Sequence, residues 1–226
     1  MTKTDDEMKT FTHDVAYTRA TRQAGQAYRL LHQESERGCV LVAGAMLDEV
    51  LGALLRAYFI RDDQLSKELL QLPNAACATF SSRIRLCRAL ELITDETFLN
   101  LERIRAIRNR AAHFDRRGDN GFQFSFGDVD VTGKCRAITV VDEELRSSLP
   151  PRVLFEIFAT MVPSLLAEHA VAGRVVGDNM GQNFARDLMM KLCPTIDFVT
   201  PCNELAKKII SLLKAPVSEL PVEDGL

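Results

Sequence analysis

Residues 39–60 read CVLVAGAMLDEVLGALLRAYFI. A helix this apolar on nearly every side has to be covered nearly all round, so the run predicts a central helix with others packed about it. Its polar exceptions fall in register. Gly44, Asp48, Gly52 and Arg56 follow one another four residues apart, with Glu49 beside them, and so share one side of the helix. Each mid-helix glycine costs about 1 kcal/mol relative to alanine. That cost is tolerable where another helix approaches closely along the stripe. Asp48 is then a carboxylate facing a neighbouring helix or a second subunit.

The rest of the chain supplies the covering elements. Residues 1–11 are polar and read as loose. From Thr12 to Ser35 an alanine-rich stripe, Ala16, Ala20, Ala24, Ala27 and Leu31, predicts a closely packed helix, with Arg37-Gly38 as its basic end and stop. A short helix and loop occupy 63–75. SSRIRLCRALELI (81–93) starts on serine caps and places Ile84, Cys87, Leu90 and Ile93 on one face. TDE at 94–96 caps the next helix, which carries Phe98, Leu101, Ile104 and Ile107. Beyond a turn-rich DRRGDNG, the alternation in FQFSF (122–126) and the β-prone CRAITVV (135–141) predict a small hairpin or irregular β insert around 121–141. PPRVLFEIFATMVPSLLAEH (150–169) returns to helix, kinked at Pro163. Helices at 183–193 and 203–214 follow, the last capped by Asn203. The expected fold is mainly α, a helical bundle with that insert. It divides into a helical domain at 12–170, a C-terminal helical extension at 171–214 and a disordered tail at 215–226.

Composition narrows the function. A net charge of −3 argues against a stand-alone nucleic-acid binder, which carries a basic excess, and leaves room for a local basic patch. No apolar run reads as long enough to cross a bilayer, and the polar start has no signal-peptide core. The expected setting is the cytoplasm. The 6 cysteines form no CxxC pair and no cluster with zinc spacing, so they read as reduced thiols, with no metal and no cofactor. GDVDVTGKC (127–135) resembles a phosphate loop, but its glycines stand one residue too far apart and Cys135 replaces the Ser/Thr that would hold magnesium. It reads instead as a hairpin turn.

The chemistry concentrates in IRAIRNRAAHF, residues 104–114. On a helical wheel Arg108 falls between Leu101 and Ile104, in the middle of the apolar face. A buried guanidinium stays charged and demands a carboxylate. Asp48 and Glu49 are equally out of place on the central helix, so one expectation is a structural Arg108–Asp48 or Arg108–Glu49 bridge. The other expectation pairs Arg108 with His113. A histidine moves protons near neutral pH and an arginine stabilises charge on a phosphoryl group, so the pair suits metal-free activation of an RNA 2′-hydroxyl. Residues five apart on an unbroken helix point about 140° from each other. The pair therefore converges only if the helix ends near Ala112, or across two subunits. His13, His32 and His169 read as surface or terminal histidines.

Two likenesses bear on the choice. RGCVLVAGAMLDEVLGALLRAYF, then FSSRIRLCRALELIT, then LERIRAIRNRAAH resembles, in order and spacing, the mannitol operon repressor family across roughly 35–170. That likeness implies an all-helical bacterial transcriptional regulator without its own DNA-binding domain, acting through a protein partner such as a transcription factor. RNRAAH also fits the R-x4-H signature of the HEPN superfamily, many of whose members are metal-independent endoribonucleases with paired Arg and His at a dimer cleft. It implies catalytic roles for Arg108 and His113, a supporting role for Asn109 and an orienting role for Asp48 or Glu49. Ala111 and Ala112 stand where active members often carry polar residues. The sequence favours a non-enzymatic, homodimeric regulator; the alternative is an endoribonuclease, a toxin or defence effector, with RNA as substrate. Neither reading involves a membrane.

Overall fold

The computed structural model describes residues 3–59, 62–72, 74–113, 124–192 and 196–214, with side chains left out at 3–16, 212–214 and a few positions in 176–192. The chain order is α1 (Lys3–Gln33), α2 (Glu36–Tyr58), α3 (Asp63–Leu70), α4 (Phe80–Ala89), α5 (Asp95–Ala112), α6 (Val129–Arg136), α7 (Glu143–Ser148), α8 (Pro151–Met180), α9 (Gln182–Leu192) and α10 (Val199–Lys214). The mainly α fold expected from the sequence is observed.

Two long apolar helices, α2 and α8, form the centre and pack on each other. α1 and α6 lie against α8, α4 and α5 against α2, α9 against both, and α10 against α8 and α1. α2 buries Cys39, Val40, Ala43, Leu47, Leu51, Leu54 and Leu55 completely. Each leucine so buried contributes roughly 1.5–3 kcal/mol. Both central helices have the length and apolarity to cross a bilayer, contrary to the sequence expectation, but 56% and 83% of their apolar windows are covered within the fold. Their apolarity is accounted for by packing on other helices.

Caps define where the elements start. The Ser35 hydroxyl accepts from the Gly38 N–H at 3.0 Å and opens α2, so Arg37 and Gly38 lie in its first turn and not at the end of α1. Thr79 and Ser82 form a reciprocal capping box on α4. α1 starts at Lys3, so the polar residues 3–11 belong to the helix. α8 continues through Pro163, which cannot donate to the preceding turn, and on to Met180. α10 starts at Val199, so Asn203 sits inside it. The Asn203 side chain instead accepts from the Asp142 N–H at 3.0 Å and donates to the Asp142 carboxylate at 2.7 Å.

The expected β insert is not formed. Among the described residues from 124 to 141 there is no strand, and α6 occupies the middle. Val131, Cys135 and Ile138 are buried at helical spacing, a periodicity that outweighs the local β propensity. Backbone donors that a ladder would have paired go to distant side chains. The Phe126 N–H donates to Glu36 Oε2 at 3.1 Å and the Thr139 N–H to Asn100 Oδ1 at 3.3 Å. The phosphate-loop-like segment lies within and just before α6. DRRGDNG and the tail at 215–226 fall outside the described residues.

Candidate functional site at the end of α5

The Thr94 hydroxyl accepts from the Thr97 N–H at 3.1 Å and starts α5, with Asp95 and Glu96 in the first turn favouring the helix dipole. Leu101, Ile104, Ile107 and Ala111 are buried, facing the contact with α2 and α4. The helix ends at Ala112. His113 is the C-cap, with φ −86° and ψ 131°, and its N–H still donates to the Asn109 carbonyl at 3.0 Å. His113 and Arg108 are both exposed, and Asn109 is half-buried.

The arginine on the apolar face is explained by a missing side chain, not by a buried acid. A Cβ added at Gly44 would lie 2.8 Å from Arg108 Cγ. The aliphatic stem of Arg108 thus crosses α2 at a glycine and carries its guanidinium out to solvent. Arg108 makes no hydrogen bond or ion pair with a described residue. The expected Arg108–Asp48 or Arg108–Glu49 bridge is therefore absent.

Asp48 pairs with Arg83 of α4 instead. Arg83 Nη1 donates to Asp48 Oδ1 at 2.9 Å and to the Asp48 carbonyl at 2.9 Å. Its Nε donates to the Cys77 carbonyl at 3.0 Å, and its Nη2 to the Leu70 carbonyl at 2.6 Å. One largely buried guanidinium ties α2, the end of α3 and the following loop together. Burial raises the Asp48 carboxyl above its ordinary range, opposed first by Arg83 and then by the nearby charge of Arg108. Glu49 is exposed.

The stripe on α2 is thus covered by arginine side chains. Arg108 crosses Gly44, and the guanidinium of Arg83 sits on Gly52, with Nη1 3.2 Å from where a Cβ would be. Asp48 lies between them and Arg56 one turn beyond. The other α5 arginines are engaged: Arg103 with Asn100 at 2.8 Å, Arg105 with Glu102 at 2.7 Å, and Arg110 with Asp128 at 3.0 Å. Arg116 and Arg117 fall outside the described residues.

A second polar cluster escaped the sequence reading. Glu156 on α8 is fully buried. It accepts from Arg152 Nε at 2.7 Å, lies 2.9 Å from His32 Nδ1, and is approached by the Cys39 thiol at 3.7 Å and by the Tyr28 hydroxyl. The far side of Arg152 donates to the Leu31, His32 and Glu34 carbonyls and so closes the end of α1. Burial, then Glu156, pushes the Cys39 thiol up to about 12 and raises the Tyr28 hydroxyl as well. Every member is satisfied, and the cluster pins α1 to α2 and α8. His32 is part of it, though it is also half-exposed as expected. His169 Nδ1 lies 2.8 Å from the Leu165 carbonyl, and the His13 side chain lies outside the description.

Among the described residues, no three His, Cys, Asp or Glu groups are placed to hold a metal ion. No family model matches the chain, and no curated protein or solved structure matches it.

Proposed function

We propose that the exposed end of α5 is an RNA-cleaving site of the HEPN type, with Arg108 and His113 as its catalytic pair. One observation carries the reading. Among the described residues Arg108 has no hydrogen-bond or ion-pair partner, and the acid expected to bind it is bound to Arg83. A cation projected over a glycine into solvent, five residues from an exposed histidine at a helix end, is available to a phosphate. His113 takes the proton of a ribose 2′-hydroxyl as its oxygen attacks phosphorus. Arg108 stabilises the charge that builds on the non-bridging oxygens. The bond from phosphorus to the 5′-oxygen breaks, and that oxygen takes a proton from water or from His113. The products are a 2′,3′-cyclic phosphate and a 5′-hydroxyl. A homodimer apposing two such helix ends places two pairs in one cleft. The proposed setting is the cytoplasm, where the free thiols stay reduced. The test is cleavage of RNA in EDTA, lost in His113→Ala protein that melts like the parent.

A second reading is a transcriptional regulator that works through protein contacts, as the likeness to the mannitol operon repressor family implies. The partnered arginines favour it. With Arg103, Arg105 and Arg110 engaged and a net charge of −3, little free positive charge remains on α5 for a nucleic acid. On this reading His113→Ala leaves both fold and partner binding intact.

A further inference from the structure

α2 is not covered all the way round. On a helical wheel Val42, Ala45, Met46, Glu49, Ala53 and Arg56 fall within an arc of about 100°. Val42, Ala45 and Glu49 are exposed, and the other three are half-buried. Gly44 and Gly52, covered by Arg108 and Arg83, lie outside the arc. A solvent-facing arc ordinarily carries polar residues, but four of these six are apolar. Its two charges are Glu49 and Arg56. They stand about 10 Å apart along the helix, too far to pair with each other, and neither makes a hydrogen bond or ion pair with a described residue. A second copy supplies both partners at once. In an antiparallel pair of α2 helices, with the two-fold axis level with residues 52 and 53, Glu49 of each chain faces Arg56 of the partner subunit. Ala53 then lies at the crossing, where a small side chain lets two helices approach closely. A parallel pair would set like charge against like.

We propose that this open arc of α2 is the contact between two copies of the chain, packed antiparallel and held in register by two Glu49–Arg56 ion pairs across the two-fold axis. The apolar residues supply the burial, and the charges fix direction and register. The assignment goes beyond the reading of the α5 end and gives no residue of the arc a part in the chemistry.

The test follows the association of the full chain by analytical ultracentrifugation. The parent is expected to sediment as a dimer. Glu49→Arg puts two arginines on each arc and Arg56→Glu puts two glutamates there, so each variant alone is expected to raise the dimer dissociation constant at least about ten-fold. Mixing the two variants in equal amounts is expected to restore the dimer, as is carrying both changes in one chain. Circular dichroism and thermal melting of each variant separate a lost contact from a lost fold. Where a charge reversal disturbs the fold, Glu49→Gln and Arg56→Gln give the same reading with a smaller loss. A monomeric parent overturns the contact, as does a dimer that neither change weakens. Folded single variants that dissociate and do not recover on mixing overturn the antiparallel pairing. RNA cleavage is scored separately. Cleavage by a chain whose association ignores both residues removes this contact and leaves the nuclease. A dimer that responds to the swaps and cuts no RNA removes the nuclease and leaves the contact.

Discussion

Asp48 of α2 is paired with Arg83 of α4 at 2.9 Å, while Arg108 of α5 passes over Gly44 one turn away and leaves its guanidinium in solvent. The two arginines therefore have opposite roles. Arg83→Ala strips a partly buried carboxylate of its partner and frees two further carbonyls, at Leu70 and Cys77, and is expected to destabilise by about 3–5 kcal/mol. Arg108→Ala removes an exposed side chain and is expected to cost under about 1 kcal/mol. Urea denaturation of the two variants checks this. Equal losses contradict the assignment.

The two glycines of the stripe meet different atoms. Gly44→Ala places a Cβ 2.8 Å from Arg108 Cγ, beside the α5 backbone and not at the far end of the side chain. That clash outweighs the roughly 1 kcal/mol of helix propensity alanine gains, so stability is expected to fall as Arg108 is displaced and RNA cleavage falls. Gly52→Ala presses on a guanidinium fixed by four hydrogen bonds to Asp48, Cys77 and Leu70. It is expected to destabilise by about 1–3 kcal/mol. Melting curves for both, with an RNA cleavage assay for Gly44→Ala, decide the matter.

Much of this arrangement was legible in the chain, and the missing parts have local causes. The helices before residue 113 follow from their apolar spacing. The i, i+4 stripe on α2 correctly announced close approach along one side, but what approaches is arginine side chains and not a helix backbone. Arg83 was detectable in principle. On a wheel it falls between Cys87 and Leu90, inside the apolar arc of α4, the same misfit that singled out Arg108. Glu156 was not detectable that way. It faces away from the stripe formed by Leu154, Ile157, Phe158, Met161 and Leu165. With Arg152 four residues earlier it looks like a solvated pair until α1, more than a hundred residues away in sequence, covers it. The insert misled because short β-prone runs say little when side chains from other helices supply the hydrogen bonds.

Glu91, in the turn from α4 to α5, has φ 55°. The Leu92 N–H donates to the Cys87 carbonyl at 2.9 Å and the Glu91 N–H to the Arg88 carbonyl at 3.0 Å, a helix end that favours glycine. Glu91→Gly is expected to stabilise by about 1 kcal/mol by relieving the left-handed conformation. A lower melting temperature contradicts it.

Thiol reactivity follows burial. Desolvation pushes Cys39 and Cys135 up to about 12 and raises Cys202 further, and all three are buried, whereas Cys77 is half-exposed. At pH 8 the native chain is expected to label with iodoacetamide at Cys77 and to leave Cys39, Cys135 and Cys202 unmodified until it is unfolded. Peptide mass mapping of the labelled native chain tests this, and rapid native labelling of Cys39 contradicts the buried cluster around Glu156.

The central claim is that the α5 end cuts RNA, and because Arg108 is exposed and has no hydrogen-bond or ion-pair partner among the described residues, both members of the pair can be removed with the fold kept. The most direct measurement incubates the purified chain with a broad panel of RNAs in EDTA and identifies the termini formed. The expected result is cleavage leaving 2′,3′-cyclic phosphate ends, abolished by His113→Ala and by Arg108→Ala in proteins that melt within a few degrees of the parent. No cleavage across the panel, or cleavage that survives His113→Ala, contradicts it.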